Sequence, residues 1–153
     1  MTRDRGREAE AASREGYNCC QAVAVTFADR LGLDKHQAAR LSSGFGGGMG
    51  RLREVCGAVS GMVFVASALC GYQDPGAAEE KAALYDRVQK LADTFRKESG
   101  SIICRELLGL FAPEGSSVPE ARTPEYYEKR PCPGLVRLAA EILSREFPDY
   151  PIK

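Results

Sequence analysis

A stretch of 19 residues without a charged side chain, from Val55 to Gln73, constrains the fold of this 153-residue chain more than any other feature. It follows a glycine-rich stretch, GFGGGMG at 44–50, and a short basic stretch that leads into Cys56. An apolar segment of this length either spans a membrane, which takes about 20 residues, or lies in the core of a globular domain. Three glycines and two serines interrupt it, and no aromatic belt flanks it. The pattern therefore favours a buried helix and argues against membrane insertion.

We expect this core helix to run from about Glu54 to Leu69. Gly57 and Gly61 lie four residues apart and so share one helix face. Because neither residue has a side chain, a second helix can pack closely against that face.

Helix signals also occur through the rest of the chain. Asn18 and Asp34 are natural N-caps, the first for a helix that ends at Gly32. Asp74 followed by Pro75 is a typical start for a longer helix. No segment shows strand alternation with hairpin signals. The sequence predicts a single all-α domain over residues 1–153, a bundle of about five to seven helices with frayed ends at about 1–5 and 149–153.

Apolar spacing predicts which helix faces are buried. The long helix carries one stripe at Leu84, Val88, Leu91 and Phe95. The segment SIICRELLGL at 101–110 reads as a short helix, residues 112–124 as a loop, and Thr123–Pro124 as the start of a short turn. Pro133 opens a last helix whose apolar stripe is Leu135, Leu138, Ala139, Ile142, Leu143 and Phe147.

Charge and composition exclude several classes of function. Lys plus Arg and Asp plus Glu both number 21, so the net charge is zero and nothing indicates nucleic-acid binding. Residues 2–15 are polar and lack the apolar segment of a secretory signal, which predicts a cytoplasmic protein. A homodimer stays open.

The glycine-rich stretch does not match a phosphate-binding loop. The chain has no Gly-Lys pair, and Met49 stands where a dinucleotide loop has its third glycine. Glycines also let backbone N–H groups approach a buried anionic group closely. We therefore expect backbone support for a sulfur site from Gly46, Gly47, Gly48, Gly50 and Gly57; the alternative is a simple tight turn.

Six cysteines are the main lead to function, because in a reducing compartment they are more often metal-bound or catalytic than disulfide-bonded. None forms a C-x-x-C pair, and the lone His36 lies in a charged stretch where we expect it to be solvated. Four cysteines fall near predicted helix N-termini, where the helix dipole favours a thiolate. These are Cys19, Cys56, Cys104 and Cys132.

The two remaining cysteines have a different context. Cys70 lies 14 residues after Cys56, about 21 Å along one helix, so the two cannot share a metal. We expect Cys70 to be a small core residue. Cys19 and Cys20 point about 100° apart, and periodicity alone does not decide which of them faces the site.

The chain resembles a family of redox-active proteins named for a C…GCAxxG…C…C cysteine pattern. The matching pieces, from about residue 16 to 143, are YNCCQAV, GFGGGMG with EVCGAVSG, CRELLG and RPCPGLV. The resemblance implies a redox role for Cys19, Cys56, Cys104 and Cys132, and it selects Cys19 over Cys20. A related domain occurs in split-Soret cytochromes, where it is linked to an iron–sulfur cluster. The haem part does not carry over, because the chain has no C-x-x-C-H.

Three functions follow from these cysteines. Four thiolates can hold an iron–sulfur cluster of the 2Fe–2S type for electron transfer, and this is the expected function. Alternatively, a metal-free cysteine pair cycles between dithiol and disulfide. For both of these functions we expect a redox partner protein. In the third case the four cysteines bind zinc structurally or only pack. Arg51, Arg53 and Arg105 lie beside the cysteines in sequence, where they either lower thiol pKa values or form surface ion pairs.

Overall fold

The computed structural model describes residues 3–110 and 115–149, and it confirms the all-α class over that part of the chain. Its helices are α1 (Arg5–Arg14), α2 (Cys19–Thr26), α3 (Ala28–Leu31), α4 (Lys35–Ser42), α5 (Gly46–Met49), α6 (Gly57–Cys70), α7 (Ala78–Ser99), α8 (Cys104–Leu107), α9 (Pro124–Lys129) and α10 (Cys132–Glu146). There are more helical segments than the expected five to seven, because several are single turns. Among the described residues the only β-type pairing is an isolated bridge between Val55 and Ile103.

The core lies among three helices, α2, α6 and α10, each of which contacts the other two. Helix α1 covers α2 and α10, while α7 covers α6 and α10. The expected close approach of a second helix occurs at Gly61, where α2 packs against α6: a Cβ on Gly61 would lie 2.7 Å from Cβ of Val23 on α2. The largest fully buried side chains are Phe27, Phe95, Met62, Leu91 and Ile142.

Local capping explains where the N-terminal helices begin. Asn18 and Asp34 each form a capping box with the glutamine three residues later, at the starts of α2 and α4. The first helix after Asn18 does not run unbroken to Gly32, because Phe27 leaves helical geometry and separates α2 from α3. Gly32 ends α3 in the left-handed conformation.

Two predicted helix starts are wrong. Helix α6 begins at Gly57 instead of Glu54, because Val55 pairs with Ile103 instead of entering the helix. Helix α7 begins at Ala78, since the Asp74 carboxylate accepts a bond from the N–H of Gly76 and closes a turn instead.

The C-terminal half follows the predicted pattern more closely. The 101–110 segment forms only the single turn α8, whereas the starts at Thr123–Pro124 and near Pro133 are confirmed. On the long-helix stripe Leu84, Leu91 and Phe95 are buried. The expected ends at about 1–5 and 149–153, and part of the 112–124 loop, fall on residues 1–2, 111–114 and 150–153, which lie outside the described residues.

The glycine-rich stretch forms a left-handed turn. Five consecutive residues, Gly47 to Arg51, have φ values between 55° and 70°. Left-handed helical backbone costs about 1–2 kcal/mol for each non-glycine residue, and three of these five residues are glycines. The backbone then returns alongside itself, because the N–H groups of Arg53 and Glu54 donate to the carbonyls of Gly47 and Gly48.

Within residues 3–110 and 115–149, no helix has both the length and the apolar character required to cross a membrane.

Candidate cysteine site

Four cysteines from four separate elements line one cavity of about 50 Å³. Cys19, Cys104 and Cys132 are the first residues of α2, α8 and α10, and Cys56 is the N-cap of α6. The positions near helix N-termini are therefore confirmed. The structure brings these four cysteines to one cavity, although consecutive members of the set lie 37, 48 and 28 positions apart in the sequence. Their chemical roles stay a prediction.

A short backbone ladder places Cys56 beside Cys104. The N–H of Cys56 donates to the carbonyl of Ile102 at 2.8 Å, and the N–H of Cys104 donates to the carbonyl of Glu54 at 2.6 Å. These two bonds flank the Val55–Ile103 bridge. Cys56 and Cys104 lie 48 positions apart in the sequence, so this backbone pairing brings them together.

The glycines next to the site allow its elements to approach closely. A Cβ on Gly48 would lie 2.8 Å from Cβ of Cys104 and 2.6 Å from the backbone nitrogen of Glu54. A Cβ on Gly57 would lie 2.9 Å from Cβ of Cys19. Gly46 packs in the same way against Asn18, whereas Gly47 and Gly50 serve the left-handed turn. Backbone support for a cofactor by these glycines stays a prediction.

Burial controls the charge state of the two deeper thiols. It raises the pKa of Cys56 to about 12, although the N–H groups of Ala58 and Val59 at the start of α6 act in the opposite direction. Burial likewise raises the pKa of Cys104, against the nearby Arg53 guanidinium, whose Nη1 lies 3.7 Å from Sγ. Both residues are therefore thiols at neutral pH, contrary to the expectation of thiolates at helix N-termini.

The other two cysteines form a hydrogen-bonded pair. Cys19 donates to Cys132, and this bond lowers the pKa of Cys132 to about 7, together with the charges of Arg130, Arg122 and Arg53. The same bond, with burial, raises the pKa of Cys19. Both residues are partly exposed, whereas Cys56 and Cys104 are buried. Cys132 is thus the cysteine of this cavity that meets the expectation of a thiolate.

The cavity wall also contains residues that the sequence did not single out. Arg122, Tyr126 and Arg130 line it together with Arg53, and none of its described lining residues is Asp or Glu. Arg130 stands two residues before Cys132 in the sequence, which is the one local signal that could have pointed to it. Arg122 and Tyr126 reach the site only through the placement of α9.

The remaining candidates lie elsewhere. Cys20 is fully buried and does not line the cavity, in agreement with the choice of Cys19. The expectation that Cys70 is a core residue is wrong: it is exposed at the end of α6, where its Sγ contacts the carbonyl of Ala66 at 3.1 Å. His36 is exposed, as expected.

The described residues do not form a ready site for a single metal ion. Among them, no group of three or more His, Cys, Asp or Glu side chains is placed so that it could hold one. The donor set itself, four cysteine sulfurs around one cavity, is the set that 2Fe–2S and 4Fe–4S clusters use.

Comparison with known proteins agrees with the cysteine pattern. Residues 17–146 match the family model described as "Putative redox-active protein (C_GCAxxG_C_C)". No curated protein and no solved structure gives a significant match.

Proposed function

The chain belongs to the C_GCAxxG_C_C family of redox-active proteins, and from this premise we propose that it performs thiol–disulfide exchange through Cys132 and Cys19. The observation that carries the proposal is that these two partly exposed thiols line one cavity together with Arg53, Arg122 and Arg130. A cysteine that is a thiolate near neutral pH, next to a second thiol, is the arrangement that exchange requires.

In this mechanism the Cys132 thiolate attacks one sulfur of a partner disulfide. A mixed disulfide forms, the partner's S–S bond breaks, and the first partner thiolate leaves. Cys19 then loses its proton and attacks Cys132 Sγ, which forms the Cys19–Cys132 disulfide and releases the second partner thiolate. Two electrons pass to the partner, and the two partner thiolates take up protons, one of which comes from Cys19. The same steps in reverse oxidise a partner dithiol.

The test is a redox titration of the anaerobically purified protein. The protein would be equilibrated with mixtures of reduced and oxidised dithiothreitol, alkylated, and mapped by mass spectrometry. We expect a reversible two-electron transition with a Cys19–Cys132 linkage, absent in Cys132→Ser and Cys19→Ser and retained in the control Cys70→Ser. A protein without a reversible disulfide between these two residues would contradict the proposal.

A second candidate function, electron transfer through a 2Fe–2S cluster, is favoured by a different observation. All four cysteines line the same cavity, and its charged wall consists of arginines, which suits an anionic cluster. Cys19, Cys56, Cys104 and Cys132 would hold the cluster, which when bound would supply one-electron transfer. The thiol pair then supplies two of the four ligands instead of a disulfide.

One preparation separates the two functions. Stoichiometric iron and acid-labile sulfide in anaerobically purified protein, lost in Cys56→Ser, would favour the cluster. Absence of both, with the two-electron thiol transition, would favour exchange. Either function requires a redox partner, and six free cysteines suit the reducing cytoplasm in which we propose that the protein works.

A further inference from the structure

A second cavity, of about 190 Å³, adjoins the cysteine cavity. The two share part of their walls, namely Asn18, Gly47, Arg53, Arg122, Tyr126 and Arg130. We call the larger cavity the vestibule. Because the shared wall belongs to both, a molecule in the vestibule lies next to the space that Cys132 lines.

The vestibule concentrates positive charge in a chain whose net charge is zero. Its lining includes Arg51, Arg53, Arg122 and Arg130, against a single carboxylate among the described lining residues, that of Glu120. Glu120 forms an ion pair with Arg130. A cleft lined with one sign of charge attracts ligands of the opposite sign and raises their association rate.

Two of the four guanidinium groups lie against an aromatic ring, and a third is buried. Arg122 lies 4.7 Å from the ring centre of Tyr126, and Arg130 lies 5.4 Å from the same centre. Arg53, only 6% exposed, is directed at Cys104. Planar guanidinium groups with fixed orientation bind carboxylates through paired hydrogen bonds, and less side-chain entropy is lost when their orientation is fixed beforehand.

We propose that the vestibule selects a small disulfide carrying carboxylate groups as the partner of Cys132. This inference rests on the proposed exchange function and names its substrate class. The volume of the vestibule is below the roughly 300–1,000 Å³ of pockets that enclose drug-sized ligands, so it accommodates a small molecule or one arm of a larger one. The Cys132 thiolate attacks the near sulfur, and a carboxylate-bearing thiolate leaves. The second arm leaves as a thiolate when Cys19 forms the Cys19–Cys132 disulfide.

The test compares three small aliphatic disulfides that differ in charge. Dithiodiacetate is dianionic, bis(2-hydroxyethyl) disulfide is neutral and cystamine is dicationic. The rate of oxidation of the reduced protein by each would be divided by the rate of the same disulfide with free 2-mercaptoethanol, which removes intrinsic reactivity. We expect the anion to react fastest and the cation slowest, by at least about ten-fold between them, with the difference shrinking as salt is added.

Variants of Arg122 assign this preference to the vestibule. Arg122→Gln should lower the ratio of the anionic to the neutral rate by roughly three-fold, since it removes one of several charges. Arg122→Lys should retain most of the ratio. Arg96→Gln removes the same charge from α7, which lines neither cavity, and should leave the ratio unchanged. If a substitution also shifts the pKa of Cys132, the rates with all three disulfides change by the same factor. The ratio of the anionic to the neutral rate therefore reports only selection by charge.

The outcomes separate this inference from the proposed function. Equal corrected rates for all three disulfides would overturn the substrate class while leaving the exchange function in place. An anion preference that is the same in Arg122→Gln would overturn the assignment to the vestibule. Failure of every disulfide to oxidise Cys132 would overturn the proposed function itself.

Discussion

At the scale of single residues, one hydrogen bond distinguishes Cys132 from the other cysteines of the cavity. All four lie at the start or cap of a helix, but burial raises the pKa values of Cys56 and Cys104. Cys132 is partly exposed, accepts a bond from Cys19 and faces arginines, so its pKa is about 7. Position at a helix N-terminus is therefore insufficient to lower a thiol pKa, and the neighbouring donor and arginines lower that of Cys132.

The first prediction concerns the pH dependence of alkylation at Cys132. Because the thiolate is the nucleophile, the iodoacetamide rate should rise with pH around a midpoint near 7, where a thiol with its ordinary pKa of about 8.5 is still mostly protonated. Cys19→Ala removes the donor and should raise that midpoint by about 1–2 units, as expected for a hydrogen bond to a charged group. The rates would be measured residue by residue by mass spectrometry between pH 5.5 and 9.5.

Two controls accompany this measurement. Cys19→Ser keeps a donor and should leave the midpoint closer to that of the wild type than Cys19→Ala does. Exposed Cys70 reports the behaviour of a thiol outside the cavity in the same samples. A Cys132 midpoint that is unmoved by Cys19→Ala would show that the thiol pair does not control reactivity.

At the scale of elements, the left-handed turn before Cys56 explains the glycine-rich stretch. Gly48 has φ of 68° and faces both the Glu54 backbone and Cys104, so it combines a conformational requirement with a steric one. Gly50 has φ of 55° but open space around it. The turn thus positions the segment that pairs with α8, and the two glycines contribute to it in different ways.

The second prediction is a graded series of glycine-to-alanine substitutions. Gly50→Ala should lower the free energy of unfolding by about 1 kcal/mol, the cost of left-handed backbone. Gly48→Ala should lower it by about 3 kcal/mol or more, since the new methyl group also overlaps backbone. Gly134→Ala, in α10 with open space around it, should raise it by up to about 1 kcal/mol. Urea unfolding under reducing conditions measures all three; equal effects of Gly48→Ala and Gly50→Ala would contradict the steric role.

The third prediction compares the two capping boxes. Asn18 caps α2 and also donates from Nδ2 to the carbonyl of Ser43 at 2.9 Å. Asp34 caps α4 with the same box and no such second bond among those described. Asn18→Ala should therefore cost about 2 kcal/mol of stability and Asp34→Ala about 1 kcal/mol. The two variants would be compared by urea unfolding, and a larger loss for Asp34→Ala would contradict this account.

At the scale of the whole molecule, Arg5 joins the two ends of the described chain. Its side chain is 2% exposed and forms paired bonds of 2.8–2.9 Å with both Asp29 and Asp149. It also donates to the carbonyl of Thr26 at 2.7 Å and lies 4.6 Å from the ring centre of Phe27. These contacts fix α1 against α2, α3 and the segment after α10, so the N-terminal helix closes the bundle.

The fourth prediction is that Arg5→Met destabilises the fold by about 2 kcal/mol at pH 7, because charged hydrogen bonds are lost. Arg5 holds the pKa values of Asp29 and Asp149 below their usual 3.8. A carboxyl group whose pKa is lower in the folded state than in the unfolded state stabilises the fold. This stabilisation is fully present at pH values above the unfolded-state pKa, and it disappears as the pH falls through the folded-state pKa. The difference in stability between wild type and variant should therefore shrink as the pH falls below about 3.8 and through the lowered pKa values of the two carboxylates. The measurement is urea unfolding across pH 2–7, with the exposed Arg96→Met as control, for which we expect less than about 0.5 kcal/mol.

The sequence by itself determined the helical class and most helix starts. Both depend on local physics: caps at Asn18 and Asp34 satisfy free N–H groups, and apolar spacing defines a buried face. Periodicity left the choice between Cys19 and Cys20 open, and the family resemblance selected Cys19. The same local signals failed at Glu54 and Asp74, where a tertiary bridge and a competing turn used the backbone groups that a helix would need.

Only the tertiary structure decided the chemistry of the site. The thiol pKa values depend on which sulfur faces which donor and on how much water remains, and Cys19 and Cys132 lie 113 positions apart in the sequence. Arg122 and Arg130, which flank α9, reach the cavity for the same reason. The charge state of a thiol depends on its distances to neighbouring donors, charges and water. A sequence pattern specifies these distances only through the fold that it produces.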